Sequence, residues 1–478
     1  MLFCIRTDLY RSGTLLYCYI VALVDNEAIV NYQLSIVNCQ LSISMAPVLV
    51  GIIGIVALLL VLFFLGTPVG FAMGIVGFCG FSYMLSFKAG FNMVGAELWT
   101  TFSKYGLTVI PLFIFMGQIA FYSGVNEQLY NAAYKWIGHI RGGLAMATVM
   151  ACSAFSAICG SNAATAATMT TVALPQMNRF KYEPKLSTGA IACGSTLGVV
   201  IPPSVVLIVI GLSTGQSIAK LFYGSVGAGV ILTLLLTLTV YVVCQLYPGW
   251  GPVGEKTTFL EKLSSLSGTC EMLALFLLVM SGLYFGFFTP TEAGAVGSLI
   301  AVLIGVVRKS LSWKGFVASI LDTLRVSCMV IVIVAGALIF GRFLAVTRIP
   351  FDIATWVVNL PVPNVVIMFI IFGIYIVGGM VMDALALLLI TIPIFFPVAT
   401  ELGYHPIWFS VTITIVTTLG AVTPPVGATT YVVGGMAKDV PLHEVFKGVS
   451  YFLPAYIFCV LLLMLFPQII TFLPNLVR

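Results

Sequence analysis

The chain has 478 residues, of which 60% are hydrophobic and only 8% charged, with a mean hydropathy of +1.13. Soluble domains carry about 25% charged residues, so this chain cannot cover a water-facing surface, and a soluble enzyme, a nucleic-acid-binding domain and a secreted scaffold are all excluded. The net charge of +5 comes from 21 Lys and Arg scattered without a basic run, which suits the cytoplasmic loops of a multi-pass membrane protein; at about 20 residues per crossing the length has room for more than ten spans.

Residues 1–44 stand apart from the rest. They carry Arg6, Asp8, Arg11, Asp25 and Glu27, and Gln33-Leu-Ser-Ile36 returns as Gln40-Leu-Ser-Ile43. Such a tandem repeat reads as translated upstream sequence, so Met45 is the expected start and 1–44 an expected non-native or disordered extension. Leu15–Val24 is apolar but too short to span, and no small-residue cleavage site follows it. Met45-Ala-Pro47 then opens a continuous apolar run to Gly66.

The next informative stretch is a pair of apolar segments, 142–159 and 163–178. Lys135, His139 and Arg141 precede it, and Arg179, Lys181 and Lys185 follow it. Basic flanks on both sides put both ends in the cytoplasm, so a re-entrant hairpin over 142–178 is predicted; ordinary crossings with incidental loop charges are the alternative. The turn Cys159-Gly-Ser161-Asn162-Ala-Ala-Thr165 supplies side-chain oxygens. An apolar segment at 187–213 follows, interrupted at Gly198-Val-Val200-Ile-Pro202-Pro203-Ser204.

Beyond a polar link at 247–270, the pattern repeats. Thr196-Leu-Gly…Pro202-Pro203 reappears as Thr418-Leu-Gly…Pro424-Pro425, an offset of 222, and Thr67-Pro68, Pro175, Tyr182 and Pro184 find their mates at the same spacing. Gly117 matches Gly341, and Gly224 matches Gly448, at 224. Two repeats are expected, 45–246 and 271–478. The second hairpin, 364–400, is preceded by Pro361-Val-Pro-Asn364 and followed by Glu401-Leu-Gly-Tyr-His405, without Lys or Arg. It is expected to enter from outside, which makes the repeats inverted. Its turn holds Gly378-Gly379 and Asp383, the one acid deep in that apolar stretch, where a carboxylate costs about 2.5–3.5 kcal/mol and is a functional candidate; a helix N-cap is the plainer role and is compatible with it. The second broken segment, 407–434, is interrupted at Gly420-Ala-Val-Thr423-Pro424-Pro425.

Two prolines in series remove two backbone donors and leave carbonyls of the preceding turn without partners. In a bilayer an unsolvated cation could satisfy them, and Na⁺ prefers such oxygen ligands. Site one is expected from Ser161, Asn162, Gly198, Val200, Pro202 and Ser204. Site two is expected from Gly379, Asp383, Thr417, Gly420, Thr423 and Pro425, with Thr165, Pro203 and Pro424 beside a substrate. No catalytic residue and no organic cofactor are expected. The eleven cysteines form no CxxC and lie far from the three histidines, so they read as helix-packing residues rather than a metal site. Glu292, after Thr289-Pro290, fits a helix cap; Arg325, Arg342 and Arg348 bracket the run 326–341 and fit snorkelling anchors.

These features resemble the large membrane subunit of tripartite ATP-independent periplasmic (TRAP) transporters, the DctM-like permeases. The resemblance covers roughly 45–475 and rests on Pro111-Leu-Phe-Ile-Phe-Met-Gly117, Gly160-Ser-Asn-Ala-Ala-Thr-Ala-Ala167, Leu197-Gly-Val-Val-Ile-Pro-Pro-Ser204, Met382-Asp383 with Pro393 and Pro397, and Gly420-Ala-Val-Thr-Pro-Pro-Val-Gly427. It implies an all-α, multi-pass protein of the bacterial inner membrane with an elevator-type transport domain. It also implies Na⁺-driven import of an organic acid, such as a dicarboxylate or a sialic-acid-like carboxylate, delivered by a periplasmic binding protein. A small four-helix membrane subunit accompanies the large one in this family, and 44 extra residues are too few to encode it, so a separate chain is expected. A stand-alone Na⁺–dicarboxylate symporter with similar hairpins remains the alternative. An intramembrane enzyme lacks its motifs here, with neither GxSxG nor HExxH, and a channel would need a continuous polar pore.

Overall fold

The computed structural model describes residues 47–254 and 257–476, so the extension expected at 1–44 lies outside the described residues. The chain is almost entirely helical. It opens with α1 (Pro47–Leu65), α2 (Val69–Met84) and α3 (Phe87–Ser103), the last capped by Ser86, whose hydroxyl accepts from the Ala89 amide at 3.2 Å. After a 3-10 turn at Tyr105–Thr108 come α4 (Val109–Tyr122) and α5 (Val125–Ile137). A hairpin follows, α6 (Gly143–Cys159) and α7 (Asn162–Arg179), then a helix in three pieces, α8 (Pro184–Ser195), α9 (Leu197–Val200) and α10 (Val205–Thr214), and then α11 (Ile218–Leu246).

The link at 247–270 is helical from Phe259 onward, because Thr258 and Glu261 form a capping box that starts α12 (Phe259–Tyr284). A second capping box, Thr289 with Glu292, starts α13 (Pro290–Val307). Next come α14 (Trp313–Thr347) and α15 (Ile349–Val358), a second hairpin of α16 (Asn364–Gly379) and α17 (Ala384–Glu401), and a second broken helix, α18 (Pro406–Val422) with α19 (Ala428–Met436). The chain closes with α20 (Leu442–Ser450), α21 (Leu453–Leu465) and α22 (Gln468–Leu476).

Among the described residues, eight helices are long and apolar enough to cross a membrane, or nine if the bent helix α12 counts as one span, fewer than the length alone has room for; Gly143–Cys159 and Asn364–Gly379 of the hairpins are apolar but shorter. Burial sorts them. The most apolar stretch of Pro184–Thr214 is 94% buried, whereas that of Pro47–Leu65 is 17% buried. The broken helices therefore form the centre, and α1, α2 and α3 turn Phe63, Phe64, Phe71 and Trp99 outward, as lipid-facing helices do.

Small residues set the closest helix crossings. A Cβ on Gly336 of α14 would overlap the Gly70 carbonyl of α2, so these two helices touch backbone to backbone. The halves also interlock. Gly224 of α11 packs on Ile407 at the start of α18, and Gly448 of α20 packs on the Lys185 carbonyl at the start of α8; Lys185 and Ile407 are themselves 222 apart. The buried Tyr456 hydroxyl of α21 lies 2.6 Å from Thr196 Oγ1 and 3.0 Å from the Cys193 carbonyl oxygen, tying the last helices to α8. Outside the spans, Tyr182 donates to the Pro252 carbonyl at 2.8 Å and accepts from the Leu144 amide at 3.2 Å, and burial pushes its phenol up.

Candidate functional site

The first hairpin turns because Gly160 takes φ +64, a left-handed angle that glycine adopts without strain. Ser161 then caps α7, accepting from the Ala164 amide. The tip is pressed onto the first break. A Cβ on Gly160 would lie 2.7 Å from the Pro203 oxygen, and one on Gly198 would lie 2.7 Å from the Ser161 oxygen and 3.1 Å from the Asn162 nitrogen. Helix α9 stops at Val200 because Pro202 and Pro203 offer no N–H to the Gly198 and Val199 carbonyls, four residues back. Ser204 restarts the helix as the cap of α10, accepting from Leu207 at 3.4 Å. Val200, Pro202 and Ser204 are all buried. Asn162 Oδ1 is buried too, and has no hydrogen-bond partner.

The second tip repeats this plan with different chemistry. A Cβ on Gly379 would come within 2.7 Å of the Thr417 oxygen, and one on Gly420 within 2.7 Å of the Gly379 Cα, so tip and break meet glycine on glycine. The Met380 carbonyl accepts from Val426 at 3.1 Å and from Gly427 at 3.0 Å. Pro424 and Pro425 deprive the Gly420 and Ala421 carbonyls of their usual donors. Gly420 recovers one from the Thr423 amide at 2.9 Å. The hydroxyls of Thr417 and Thr423 donate to Ile413 at 2.7 Å and Leu419 at 2.6 Å, leaving their lone pairs as acceptors. Asp383 caps α17, accepting from Leu385 at 3.1 Å through Oδ2. It stands 222 residues after Ser161, so one hairpin is capped by a hydroxyl and the other by a carboxylate. Both Pro-Pro bonds, 202–203 and 424–425, are cis.

The breaks differ in exposure. Ile201 to Ser204 is buried, whereas Pro424, Pro425 and Val426 reach the surface. The two tips nevertheless share one cavity of about 170 Å³. Ser161 and Asn162 line it from one hairpin and Asp383 and Ala384 from the other; Gln118 and Val330 close it from α4 and α14. Asp383, itself exposed, thus lines the same cavity as the first tip, while Gly379, Thr417, Gly420, Thr423 and Pro425 are not in its wall. The residues expected beside a substrate are not in its wall. Thr165 is buried and donates to the Ser161 carbonyl at 2.8 Å, so it braces the tip. The Pro203 carbonyl lies against Gly160, and Pro424 points to the surface.

Two participants escaped the sequence reading. Gln118 lines the shared cavity, and Arg342 is no simple snorkelling anchor: its Nε donates to Glu97 Oε1 of α3 at 2.7 Å. The signal was present, since the Gly117–Gly341 match carries Gln118 onto Arg342 at the next position.

A multi-pass helical protein whose paired hairpin tips meet paired broken helices around an interior cavity has the architecture of a secondary transporter. Residues 56–469 match the family described as "Tripartite ATP-independent periplasmic transporter, DctM component". The chain belongs to this family of TRAP large permease subunits. It is 31% identical over 380 residues to the C4-dicarboxylate TRAP transporter large permease protein DctM of Pseudomonas aeruginosa, covering 79% of this chain and 88% of that one. It is 30% identical over 416 residues to the sialic acid TRAP transporter large permease protein SiaM of Vibrio cholerae, covering 87% and 96%. The isethionate TRAP transporter permease protein DctMQ of Oleidesulfovibrio alaskensis is 30% identical over 377 residues, which is 78% of this chain and 58% of that longer protein. In fold, the chain resembles the YdaH transporter of Alcanivorax borkumensis, with a TM-score of 0.61 at 15% identity over 80% of this chain and 89% of that one.

Proposed function

We propose that this chain is the inner-membrane permease of a TRAP system and imports a small organic acid together with Na⁺. The observation that carries the ion reading is the buried, unpartnered Asn162 Oδ1, at a tip whose backbone packs on Gly198 of the broken helix, where two prolines leave the Gly198 and Val199 carbonyls without their helical donors. Neutral oxygens without hydrogen-bond donors suit a hard monovalent cation. Asp383 is the only acid in the wall of the shared cavity and would balance part of its charge. A carboxylate substrate seated between the tips would gain from the bound cation, and the coupling would be reciprocal. The relatives named above move C4-dicarboxylates, sialic acid or isethionate, so an organic anion is the common chemistry.

In this reading the hairpins and broken helices move as a transport domain against a scaffold that includes α2 and α14. A small membrane subunit and a periplasmic binding protein complete the system, and family membership favours this over a stand-alone symporter. The test is uptake of labelled succinate and N-acetylneuraminate into proteoliposomes holding the full chain, its small subunit and its binding protein. Uptake should require Na⁺. Unchanged uptake when K⁺ replaces Na⁺ at fixed pH refutes the ion reading and leaves proton coupling through Asp383.

A further inference from the structure

A second cavity, of about 400 Å³, lies between α14 and α17, a size that suits a small organic acid. Gly341, Arg342 and Ala345 form one wall, Ile392, Pro393 and Phe396 the other, and Ser213 and Thr214 at the end of α10 close it. Arg342 is its only charged lining residue. Its side chain is 63% exposed, while that of its partner Glu97 is 10% exposed, so an incoming ligand meets the guanidinium rather than the carboxylate. The bond to Glu97 uses Nε alone; among the described residues no hydrogen bond reaches either Nη. Glu97 therefore orients the group while its end-on fork, the pair of Nη edges that matches a carboxylate, stays free. Lys104 adds a second cation near this end, its Nζ 3.5 Å from the Leu212 carbonyl.

The repeat gives an independent pointer. Gly117 of α4 is packed on the first hairpin, where a Cβ would lie 2.9 Å from the Cys159 Cα. Its mate Gly341 meets nothing within 4 Å and faces this cavity instead. Gln118, the mate of Arg342, lines the cavity between the tips. The 400 Å³ cavity is thus the gap left where α14 and the second hairpin stand apart, and Arg342 occupies the position whose counterpart already borders the central cavity. On the charge-based orientation, it lies in the outer half of the membrane, where an anion delivered from outside arrives.

We propose that this cavity is an outer docking site for the carboxylate of the transported anion, held by the Nη fork of Arg342. The proposal rests on the organic-anion reading above and adds a site to it. The probe is charge-selective labelling of Ser213→Cys in the full chain in nanodiscs. An anionic sulfonate thiosulfonate and a cationic trimethylammonium thiosulfonate are compared by mass spectrometry of the peptide carrying residue 213, with the native exposed Cys328 as internal reference. Arg342→Gln should lower the anionic-to-cationic rate ratio about tenfold, the effect of one unit charge at close range. Arg342→Lys should restore part of it, and Glu97→Gln should raise it. Succinate should slow anionic labelling in the parent and not in Arg342→Gln.

A ratio unmoved by Arg342→Gln overturns the proposal. So does protection by phosphatidylglycerol rather than succinate, which would give the cavity to a lipid phosphate. If Arg342→Gln fails to fold, the Lys and Glu97→Gln variants decide on the same terms. Because labelling needs no transport, a failed Na⁺ requirement in the uptake assay and a failed charge preference here are separate results.

Discussion

Replacing Gly198 by Ala places one methyl where the first break meets the first hairpin. That carbon would stand 2.7 Å from the Ser161 oxygen, 2.8 Å from its carbonyl carbon and 3.1 Å from the Asn162 nitrogen. All three are backbone atoms, so no side chain can swing aside. The tip must retreat by several tenths of an ångström, carrying Asn162 away from the first break. Overpacking of this kind costs about 1–3 kcal/mol, and if the strain is relieved by opening the tip, Na⁺ affinity falls by a factor between about 5 and 150. The assay is the Na⁺ concentration for half-maximal uptake in proteoliposomes, with expression and elution profile confirming the fold. Gly373→Ala, whose added carbon meets nothing within 4 Å, is the control and should leave that concentration unchanged. A well-expressed Gly198→Ala with the parent's Na⁺ dependence would refute the placement of an ion between tip and break.

Asp383→Asn removes the only carboxylate in the cavity between the tips, and should raise the half-maximal Na⁺ concentration about tenfold, measured in the same assay; Asn162→Ala should raise it too, with maximal uptake less affected. For orientation, cysteine at the exposed Lys181 should label only from the cytoplasm, and cysteine at the exposed Glu401 only from outside, in a background without Cys79, Cys270 and Cys328; labelling of both from one side rules out inverted hairpins. Tyr456→Phe removes the hydroxyl that bridges Thr196 and Cys193 in a fully buried setting. It should lower stability by about 1–2 kcal/mol, read as a drop in the thermal midpoint of the purified protein.

The positions of the breaks were legible because their cause is local. Pro202-Pro203 and Pro424-Pro425 have no amide protons to give, and the helices stop at Val200 and Val422 accordingly. The membrane class was legible from charge alone. What joins the site was not. Asp383 was grouped with Gly379 and Thr417 as the tip and break of one repeat, and matching motifs within a repeat give no sign that it also lines a cavity with Ser161 and Asn162 of the other hairpin. Arg342 and Glu97 are 245 residues apart, and composition cannot say that a lipid-flanking arginine finds an acid on a different helix. The unequal exposure of the two breaks is also invisible in matching motifs, because it depends on how the halves sit in one conformation, which a shared sequence pattern does not encode.

The interlock of the halves bears on how the protein is made. The start of α8 is covered by Gly448, and the start of α18 by Gly224. A ribosome delivering this chain releases Lys185 long before the residue that packs on it. Until α20 arrives, the first half holds a helix end in the bilayer with its neighbour missing, so it cannot reach its final packing as an independent unit. Completion of the fold waits for the last helices, and a chain truncated ahead of residue 448 leaves the first half unfinished as well as the second.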